Sequence, residues 1–253
     1  MNIAVIFAGG TGQRMQSKSV PKQFLEIHGK PIIIHTLEHF EKHKDIDAII
    51  VSCLEEWIEH LIGLLKQYNI TKVKAVVPGG ETGQMSIYSG LIAADSYADA
   101  LKKNSGLQYN IRHVVLIHDG VRPLINEKLI TDCIASVQKY GSAITSVPAK
   151  ETVLMVSGED TNEIEFIANR SKTRLARAPQ CFWLDEILDA EWKAVSAGNK
   201  DYIDSCSLMQ AMGHKMHLID GPMENIKVTT PDDFYTMRAL LDAKENSQLY
   251  ITD

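Results

Sequence analysis

The stretch NIAVIFAGGTGQRM, residues 2–15, decides the fold of this chain. Its apolar first half leads directly into glycine, a pattern that predicts a parallel strand buried on both faces. Because open parallel sheets bind ligands beyond the carboxyl ends of their strands, Gly9, Gly10 and Gly12 lie where a site is expected. Glycine lets backbone N–H groups approach a phosphate, and Arg14 can donate two parallel hydrogen bonds to phosphate oxygens. The stretch therefore favours a triphosphate site over the alternative, a simple tight turn.

Strand-like and helix-like segments alternate along the rest of the chain. Continuous apolar runs predict further strands at DAIIVSC, KVKAVVPGG, HVVLIHDG and SAITSVP, residues 47–53, 72–80, 113–120 and 142–148. Helical spacing of apolar residues predicts helices at residues 31–43, 55–68, 86–102 and 127–141. Towards the carboxyl end we expect a helix at 185–198, strands at KMHLIDG (215–221) and NIKVT (225–229), and a helix at 230–244 capped by Thr230. This pattern predicts a doubly wound α/β fold with a mostly parallel, Rossmann-like sheet.

The composition is typical of one folded, soluble globular domain. A chain of 253 residues with 45% hydrophobic and 23% charged residues fits a single α/β domain, which we expect to span residues 1–253. The net charge of -6 argues against non-specific binding to nucleic acid. The four cysteines include no CxxC pair, and no apolar stretch is long enough for a membrane helix. We therefore expect a cytoplasmic protein without a membrane or nucleic-acid partner.

Two better-known glycine motifs do not match the opening stretch. A dinucleotide-binding G-x-G-x-x-G that starts at Gly10 would need a third glycine where Met15 stands. A phosphate-binding G-x-x-x-x-G-K-[ST] loop would need a lysine that does not follow these glycines. The sequence therefore disfavours a P-loop ATPase and an NAD-binding oxidoreductase, although the oxidoreductase stays as an alternative from another functional class.

Five motifs, in order along the chain, resemble those of the cytidylyltransferases that activate polyol phosphates with CTP: FAGGTGQRM, VPKQFLEI, PGGETGQMS, IHDGVRP and ENIKVTTPDD. The resemblance covers nearly the whole chain. It implies the nucleotide-diphospho-sugar transferase type of fold and a reaction that joins CMP to a five-carbon polyol phosphate with release of pyrophosphate. It also implies Mg²⁺ as the cofactor, with CTP and the polyol phosphate as ligands.

The same resemblance implies roles for individual residues. Arg14, Lys22 and Lys227 would neutralise the triphosphate and stabilise the charge that develops during transfer, which suits cations on opposite sides of the α-phosphate. Asp119 and Arg122 follow a predicted strand and are expected at the same sheet edge as the glycines, where Asp119 could hold Mg²⁺ or an acceptor hydroxyl and Arg122 could orient Asp119 or contact the acceptor. The implied nucleotide-binding residues are Ala8, Gly9, Gly10, Gly12, Gly80, Glu81, Ser86 and Gly120.

A hairpin is predicted after the fifth strand, where ETVLMVSGEDTNEIEFIANR, residues 151–170, contains two extended segments around a polar turn. By resemblance this hairpin is a projecting dimerisation arm, taken as residues 149–178, and the protein is a homodimer. Thr152 and Arg170 of one subunit would then reach the acceptor phosphate in the other. We further hypothesise that three more basic residues in this region tune the choice of acceptor: Lys172, Arg174 and Arg177.

The choice of acceptor stays open between two five-carbon polyol phosphates. The segments PKQFLEIHGKPIIIHTLEHF and EEWIEHLIGLLKQYNI look more like the branch that acts on D-ribitol 5-phosphate to give CDP-ribitol. The other branch acts on 2-C-methyl-D-erythritol 4-phosphate in isoprenoid synthesis. A methyl group changes discrimination by only about 1–3 kcal/mol, so one or two residues could switch the preference. A homologue that binds nucleotide without turnover is a further alternative, which the retained Arg14, Lys22, Arg170 and Lys227 disfavour.

Overall fold

The structure is a computed structural model that describes residues 1–10, 20–105, 112–158 and 161–245. The strands in these ranges are β1 (Asn2–Ala8), β2 (Glu26–Ile27), β3 (Lys30–Pro31), β4 (Ala48–Cys53), β5 (Val73–Pro78), β6 (Val114–Asp119), β7 (Ser142–Pro148), β8 (Leu154–Val156), β9 (Ile164–Ile167), β10 (Arg174–Trp183) and β11 (Leu218–Asp220). The helices are α1 (Ile32–Lys42), α2 (Ile58–Gln67), α3 (Gly83–Ser105), α4 (Glu127–Tyr140), α5 (Leu184–Ser196), α6 (Ser205–Ala211) and α7 (Pro231–Glu245). None of these helices is long and apolar enough to cross a membrane.

Seven strands form one central sheet in the order β11-β7-β10-β6-β1-β4-β5. In the middle of the sheet, β1 pairs in parallel with β4 on one side and with β6 on the other. Among the described strands of this sheet, only β10 runs in the opposite direction, antiparallel to both β6 and β7. The predicted mostly parallel α/β sheet is therefore confirmed.

The alternation of side chains along β1 explains why helices cover both faces of the sheet. Ala4 and Ile6 belong to a cluster that contains the apolar faces of α1, α2 and α4. Ile3 and Val5 belong to the opposite cluster, which contains those of α3, α5 and α6. All four residues are fully buried, as the apolar run predicts. Because both faces are covered, a ligand must approach the sheet at the ends of its strands.

Local capping signals explain where the helices begin and end. Asn126 caps α4 by accepting a hydrogen bond from Leu129 N at 2.8 Å, and Gly141 ends that helix in the left-handed conformation. The predicted cap of α7 is confirmed, because Asp233 N donates to Thr230 Oγ1 while Asp233 Oδ2 accepts from Thr230 N. This reciprocal pair fixes the start of α7 directly after the NIKVT segment.

Three features of the fold differ from the sequence-based expectations. The predicted strand at residues 225–229 is wrong, because this segment is irregular and Val228 N donates to Val121 O across a loop instead of joining a sheet. Both β10 and α6 are additional elements that the sequence patterns did not predict. Residues 174–178, which the arm prediction includes, belong to β10 in the central sheet.

The predicted hairpin is present as β8 and β9, which form a separate two-stranded antiparallel sheet. All seven residues of these two strands are exposed. Six of them are large and apolar: Leu154, Met155, Val156, Ile164, Phe166 and Ile167. A lone hairpin is marginally stable, and a cluster of exposed apolar side chains usually marks a contact surface. The two strands of the hairpin therefore present an exposed apolar surface.

Candidate active site

Two adjoining cavities open at the carboxyl ends of β1 and β6. The glycine-lined cavity has a volume of about 300 Å³ and includes Gly9, Gly10 and Gly80 in its wall. The arginine-lined cavity has a volume of about 330 Å³ and includes Arg122 and Arg177. The residues that line both cavities are Phe7, Gly83, Asp119 and Lys227. The cavities therefore meet at one acidic and one basic side chain.

Packing explains why the wall of the glycine-lined cavity needs glycine at two positions. A Cβ on Gly9 would lie 2.7 Å from Ser86 Oγ, and a Cβ on Gly80 would lie 2.3 Å from Met85 Cβ. Ser86 Oγ accepts a hydrogen bond from Gly80 N at 3.1 Å and donates one to Thr82 O at 3.0 Å. The Ser86 hydroxyl therefore ties the loop after β5 to the first turn of α3 and packs it against the end of β1.

Lys22 is positioned by a short turn that is anchored to the end of β1. The neighbouring Gln23 is buried and donates from Nε2 to Ala8 O at 2.6 Å. This hydrogen bond holds the 3-10 turn Lys22–Phe24 beside the glycines. A Cβ on Gly10 would lie 3.8 Å from Lys22 Cε, so the lysine side chain passes close to the glycine backbone. The cation therefore lies at the wall where the sequence predicts a triphosphate.

The charged centre of the site is Asp119, the last residue of β6. Its Oδ2 accepts from Arg122 Nε at 2.7 Å, and its Oδ1 accepts from Lys227 Nζ at 2.6 Å. Burial by itself raises the pKa of Asp119, but Lys227 and Arg122 together outweigh burial and hold that pKa well below its usual range. Asp119 is therefore an anion at neutral pH, with a cation on each carboxylate oxygen.

The segment that carries Lys227 is held in place by the buried side chain of Asn225. Asn225 Nδ2 donates to Ala178 O at 2.6 Å, and Asn225 O accepts from Arg122 Nη1 at 3.1 Å. His118 supports the same corner, because its Nε2 lies 3.0 Å from Arg122 O. Burial lowers the pKa of His118 to about 4, so its ring is neutral near pH 7 and adds no charge to the site.

Most of the predicted site residues come together around these cavities. Those that line the glycine-lined cavity are Ala8, Gly9, Gly10, Lys22, Gly80, Glu81, Ser86, Asp119 and Lys227. Arg122 lines the arginine-lined cavity. Gly120 lies next to Ala8, because a Cβ added to Gly120 would be 3.1 Å from Ala8 Cβ. Gly12 and Arg14 lie outside the described residues.

Thr152 and Arg170 do not line either cavity of this chain. Both are exposed, Thr152 shortly before β8 and Arg170 at the start of the 3-10 turn that follows β9. The three additional basic residues that are predicted to tune the choice of acceptor lie in different places. Arg174 pairs with Asp220 at the sheet edge, whereas Arg177 lines the arginine-lined cavity. Lys172 is exposed.

Sequence reasoning missed three buried amide side chains that shape the site. Gln23 and Asn225 hold the two lysine-bearing segments. Gln84 links the start of α3 to α5, because its Nε2 donates to Glu191 Oε2 at 2.8 Å while its Oε1 accepts from Tyr202 N at 2.9 Å. A single amide residue in or beside a loop belongs to no repeating sequence pattern. The sequence therefore cannot distinguish a buried amide side chain from one exposed to solvent. A signal was available for Gln23 and Asn225, since both belong to the motifs PKQF and NIKVT.

Within the described residues there is no group of three or more His, Cys, Asp or Glu side chains suited to a metal ion. Asp119 is the predicted ligand, and both of its oxygens already accept hydrogen bonds from cations. In nucleotide enzymes, Mg²⁺ needs only one or two carboxylates and takes its other ligands from phosphates and water. The donor set therefore fits a Mg²⁺ that arrives with a triphosphate and is held mainly by phosphate oxygens.

A doubly wound sheet with glycines and lysines at the carboxyl ends of its strands is typical of α/β enzymes that bind a nucleotide by its phosphates. Residues 2–243 match the family model described as IspD: 2-C-methyl-D-erythritol 4-phosphate cytidylyltransferase. The chain belongs to this family, and it is a cytidylyltransferase. The family predicted from the sequence motifs is confirmed.

Individual relatives agree with the family match. The chain is 52% identical, over 99% of both chains, to a ribitol-5-phosphate cytidylyltransferase of Streptococcus agalactiae serotype III (strain NEM316). It is 37% identical to a 2-C-methyl-D-erythritol 4-phosphate cytidylyltransferase of Clostridium acetobutylicum, over 98% of this chain and 99% of that one. The crystal structure of 4-diphosphocytidyl-2C-methyl-D-erythritol synthase from Anaerococcus prevotii DSM 20548 is similar with a TM-score of 0.77 and 26% identity, over 95% of this chain and 96% of that one. The fold prediction is thereby confirmed.

Proposed function

We propose that this enzyme transfers CMP from CTP to D-ribitol 5-phosphate and releases pyrophosphate, with CDP-ribitol as the product. The observation that carries the choice of acceptor is the 52% identity, over 99% of both chains, to a protein named ribitol-5-phosphate cytidylyltransferase. The relative named for 2-C-methyl-D-erythritol 4-phosphate is 37% identical. That compound is the alternative acceptor, because the family model carries its name. The family match leaves the oxidoreductase alternative without support.

In the proposed reaction, an oxygen of the acceptor phosphate attacks the α-phosphorus of CTP. The bond from that phosphorus to the oxygen bridging to the β-phosphate breaks, and pyrophosphate leaves. Because attack and departure are in line, the acceptor and the pyrophosphate must lie on opposite sides of the α-phosphate. The two adjoining cavities support this arrangement, with CTP in the glycine-lined cavity and the acceptor in the arginine-lined cavity.

Lys22 and Lys227 would stabilise the negative charge that spreads over the transferring phosphoryl group. Both line the glycine-lined cavity, and Lys227 also lines the cavity proposed for the acceptor. Asp119 holds the Lys227 ammonium at this junction. Arg14 is proposed to act with the two lysines on the triphosphate. No side chain needs to form a covalent intermediate.

The remaining nucleotide contacts are proposed from the glycine-lined wall. Backbone N–H groups from Ala8 to Gly12 would bind phosphate oxygens, a role that favours glycine because the backbone must approach closely. Gly80, Glu81 and Ser86 would contact the cytosine. The tight packing of Gly80 against the first turn of α3 supports this role, since it gives the loop a fixed shape.

Mg²⁺ is proposed as the cofactor, carried by the triphosphate. When bound, it would neutralise part of the phosphate charge. Asp119 would hold it with one carboxylate oxygen, while Arg122 keeps the other. We expect that removal of divalent cations with EDTA abolishes pyrophosphate release and that added Mg²⁺ restores it. Full activity without divalent cations would refute this part of the proposal.

A homodimer formed through the arm is the proposed assembly. The exposed apolar side chains of β8 and β9 support it, and Thr152 and Arg170 on the arm would reach the acceptor phosphate in the partner subunit. Light scattering after size-exclusion chromatography is expected to give the mass of a dimer. Phe166→Glu, which puts a charge on this apolar surface, is expected to give monomers. A monomeric wild-type protein would refute the assembly.

Pyrophosphate release with purified enzyme, CTP, Mg²⁺ and each polyol phosphate in turn tests the choice of acceptor. We expect kcat/KM for ribitol 5-phosphate to exceed that for 2-C-methyl-D-erythritol 4-phosphate by about tenfold or more. A higher value for the methylerythritol compound would refute the proposal in favour of the alternative. CTP binding without pyrophosphate release from either compound would instead identify a homologue without turnover.

A further inference from the structure

Two buried polar atoms in residues that line the arginine-lined cavity have no hydrogen-bond partner among the described residues. These atoms are Nε of Arg177 and Oγ of Ser205. Buried donors and acceptors are nearly always paired in folded proteins, because an unpaired group has lost its hydrogen bonds to water and gained none in return. Both atoms belong to residues that line the same cavity, so a ligand in that cavity is one source of the missing hydrogen bonds.

Arg177 owes its position to a bulge in β10. The register of β10 against β7 shifts between Ala176 and Gln180, so Arg177 leaves the regular ladder. Bulges of this kind re-aim side chains and are frequent beside active sites. Burial lowers the pKa of Arg177, and the positive charge of Arg122 lowers it further. A partly buried cation beside another cation is unfavourable by itself, and an oxygen atom that accepts from Arg177 Nε would relieve this cost.

The structure gives the Ser205 hydroxyl no capping role. Ser205 is the first residue of α6 and is 3% exposed. The cap of this helix is supplied by Asp204, whose Oδ1 accepts from Ser207 N at 2.8 Å. The other carboxylate oxygen of Asp204 accepts from Gln180 Nε2 at 3.0 Å. Because the cap is complete without Ser205, its Oγ is left to pair with a ligand.

The position of Lys227 determines which end of the acceptor reaches these atoms. In the proposed reaction the acceptor phosphate attacks beside Lys227, where the two cavities meet. The remaining carbons would then extend into the arginine-lined cavity, whose wall includes Arg177 and Ser205. This part of a polyol phosphate carries hydroxyl groups. A hydroxyl oxygen can accept from Arg177 Nε, and a hydroxyl can exchange a hydrogen bond with Ser205 Oγ in either direction.

We propose that Arg177 and Ser205 bind the hydroxyl groups of the acceptor and select a linear polyol phosphate, an inference that rests on the proposed function. Ribitol 5-phosphate carries a hydroxyl on every carbon except the phosphorylated one. Its competitor, 2-C-methyl-D-erythritol 4-phosphate, has a shorter chain, one hydroxyl fewer and a methyl branch. A site built to bond a hydroxyl rejects a ligand that lacks it far more strongly than an apolar pocket rejects a changed methyl group. The two buried atoms therefore favour the ribitol compound.

The test compares acceptor preference in single variants. Ser205→Ala removes the hydroxyl with little change in shape, and Arg177→Met removes the donors while keeping a long side chain. We expect each variant to lower kcat/KM for ribitol 5-phosphate by about tenfold or more, the effect of losing a hydrogen bond to the substrate. The kcat/KM for methylerythritol phosphate and the KM for CTP should each change by less than about threefold.

Two control variants separate this effect from general damage. Cys206→Ala changes the residue next to Ser205 on α6. Arg112→Met removes an arginine that pairs with Asp185 at the other end of β6. Both controls should keep the wild-type ratio of the two kcat/KM values. Since Ser205 Oγ is buried and unpaired in the free enzyme, Ser205→Ala should also keep or raise the wild-type melting temperature.

Three outcomes would overturn the selection by Arg177 and Ser205. The first is an unchanged ratio of the two kcat/KM values in the folded variants, and the second is an equal fall for both acceptors. The third is the same change of ratio in the control variants. If Arg177→Met does not fold, the ratio of the two kcat/KM values in Ser205→Ala alone decides whether the proposal holds. Failure of the proposed function has a different signature, because the wild-type enzyme itself would then prefer methylerythritol phosphate.

Discussion

Replacement of Asp119 by asparagine tests the charged centre of the site. The carboxylate accepts from Arg122 at 2.7 Å and from Lys227 at 2.6 Å. Asp119→Asn keeps the shape of the side chain but leaves the Arg122 guanidinium, at a residue only 8% exposed, without its anion. Removal of one partner from a buried ion pair costs about 3–5 kcal/mol. The Lys227 side chain is 38% exposed, so water compensates for much of its loss. We therefore expect the free energy of unfolding at neutral pH to fall by about 3 kcal/mol.

The effect of Asp119→Asn should depend on pH with a defined sign. Burial raises the pKa of Asp119 in the folded protein, but Lys227 and Arg122 lower it well below its usual range. In the unfolded chain the pKa is about 3.9. A carboxyl group whose pKa is depressed by folding contributes stability above the unfolded pKa and loses it as the pH falls through the folded pKa. The difference between wild type and variant should therefore be constant near neutral pH and shrink below about pH 4.

Urea denaturation at a series of pH values, followed by circular dichroism, measures both effects. The matched control is Asp189→Asn, which breaks an exposed pair with Lys193 at 2.6 Å on α5. Exposed pairs of this kind contribute little, so the control should change the free energy of unfolding by less than about 0.5 kcal/mol. An effect of Asp119→Asn as small as that of the control at neutral pH would refute the assignment of a buried carboxylate between two cations. So would a difference from wild type that does not shrink in acid.

Three further changes have defined outcomes. Burial raises the pKa of Glu191 to about 7, so stability should fall between about pH 4.3 and pH 7, where the unfolded chain releases a proton that the folded protein keeps. Glu191→Gln should remove this fall and raise the free energy of unfolding above pH 7 by roughly 4 kcal/mol in urea titrations, and an unchanged pH profile would contradict the assignment. Thr230→Ala removes the cap oxygen of α7 and should lower the same quantity by about 1 kcal/mol, whereas no loss would mean that the cap is dispensable. Gly80→Ala places a Cβ 2.3 Å from Met85 Cβ and should weaken CTP binding, measured by calorimetry, by about tenfold or more. Gly63→Ala, with no atom within 4 Å of the added Cβ, is its control, and equal affinities of the two variants would refute the role of the loop.

The parallel part of the sheet could be predicted because its central strands are continuous apolar runs, a local property of the sequence. The antiparallel strand β10 could not be predicted in this way. Its sequence RLARAPQCFW mixes basic and apolar residues, contains Pro179, and is buried only in its second half. It is a strand because it pairs with both β6 and β7, which are distant in sequence, and such context overrides local propensity. The bulge between Ala176 and Gln180 accommodates the proline within the sheet.

In the segment NIKVT, the position of Lys227 at the cavities agrees with the sequence prediction, whereas the predicted backbone conformation is wrong. Ile226 and Val228 alternate with polar residues, which is typical of a half-buried strand. In the structure these two side chains instead pack in a cluster that includes Val121, which follows β6, and Met237, which lies in α7. The position of Lys227 at the cavities was nevertheless predicted, because a whole motif of known chemistry carried it. The backbone conformation depends on contacts with distant residues that the motif does not contain.

The double pairing of Asp119 explains how a buried carboxylate can serve a site whose ligand is strongly negative. A buried anion needs a cation as a partner. Asp119 has two such partners, and their side chains differ in how exposed they are. Arg122 is buried and is fixed further by its hydrogen bond to Asn225 O, whereas Lys227 is partly exposed and lines both cavities. In the proposed function, a triphosphate in the glycine-lined cavity would compete with Asp119 for the Lys227 ammonium, since each phosphate is also an anion. If Lys227 turned to the phosphate, Arg122 would still pair with Asp119, so no unpaired charge would be left in the interior. Arg122 therefore keeps Asp119 paired whether or not Lys227 remains in contact with it.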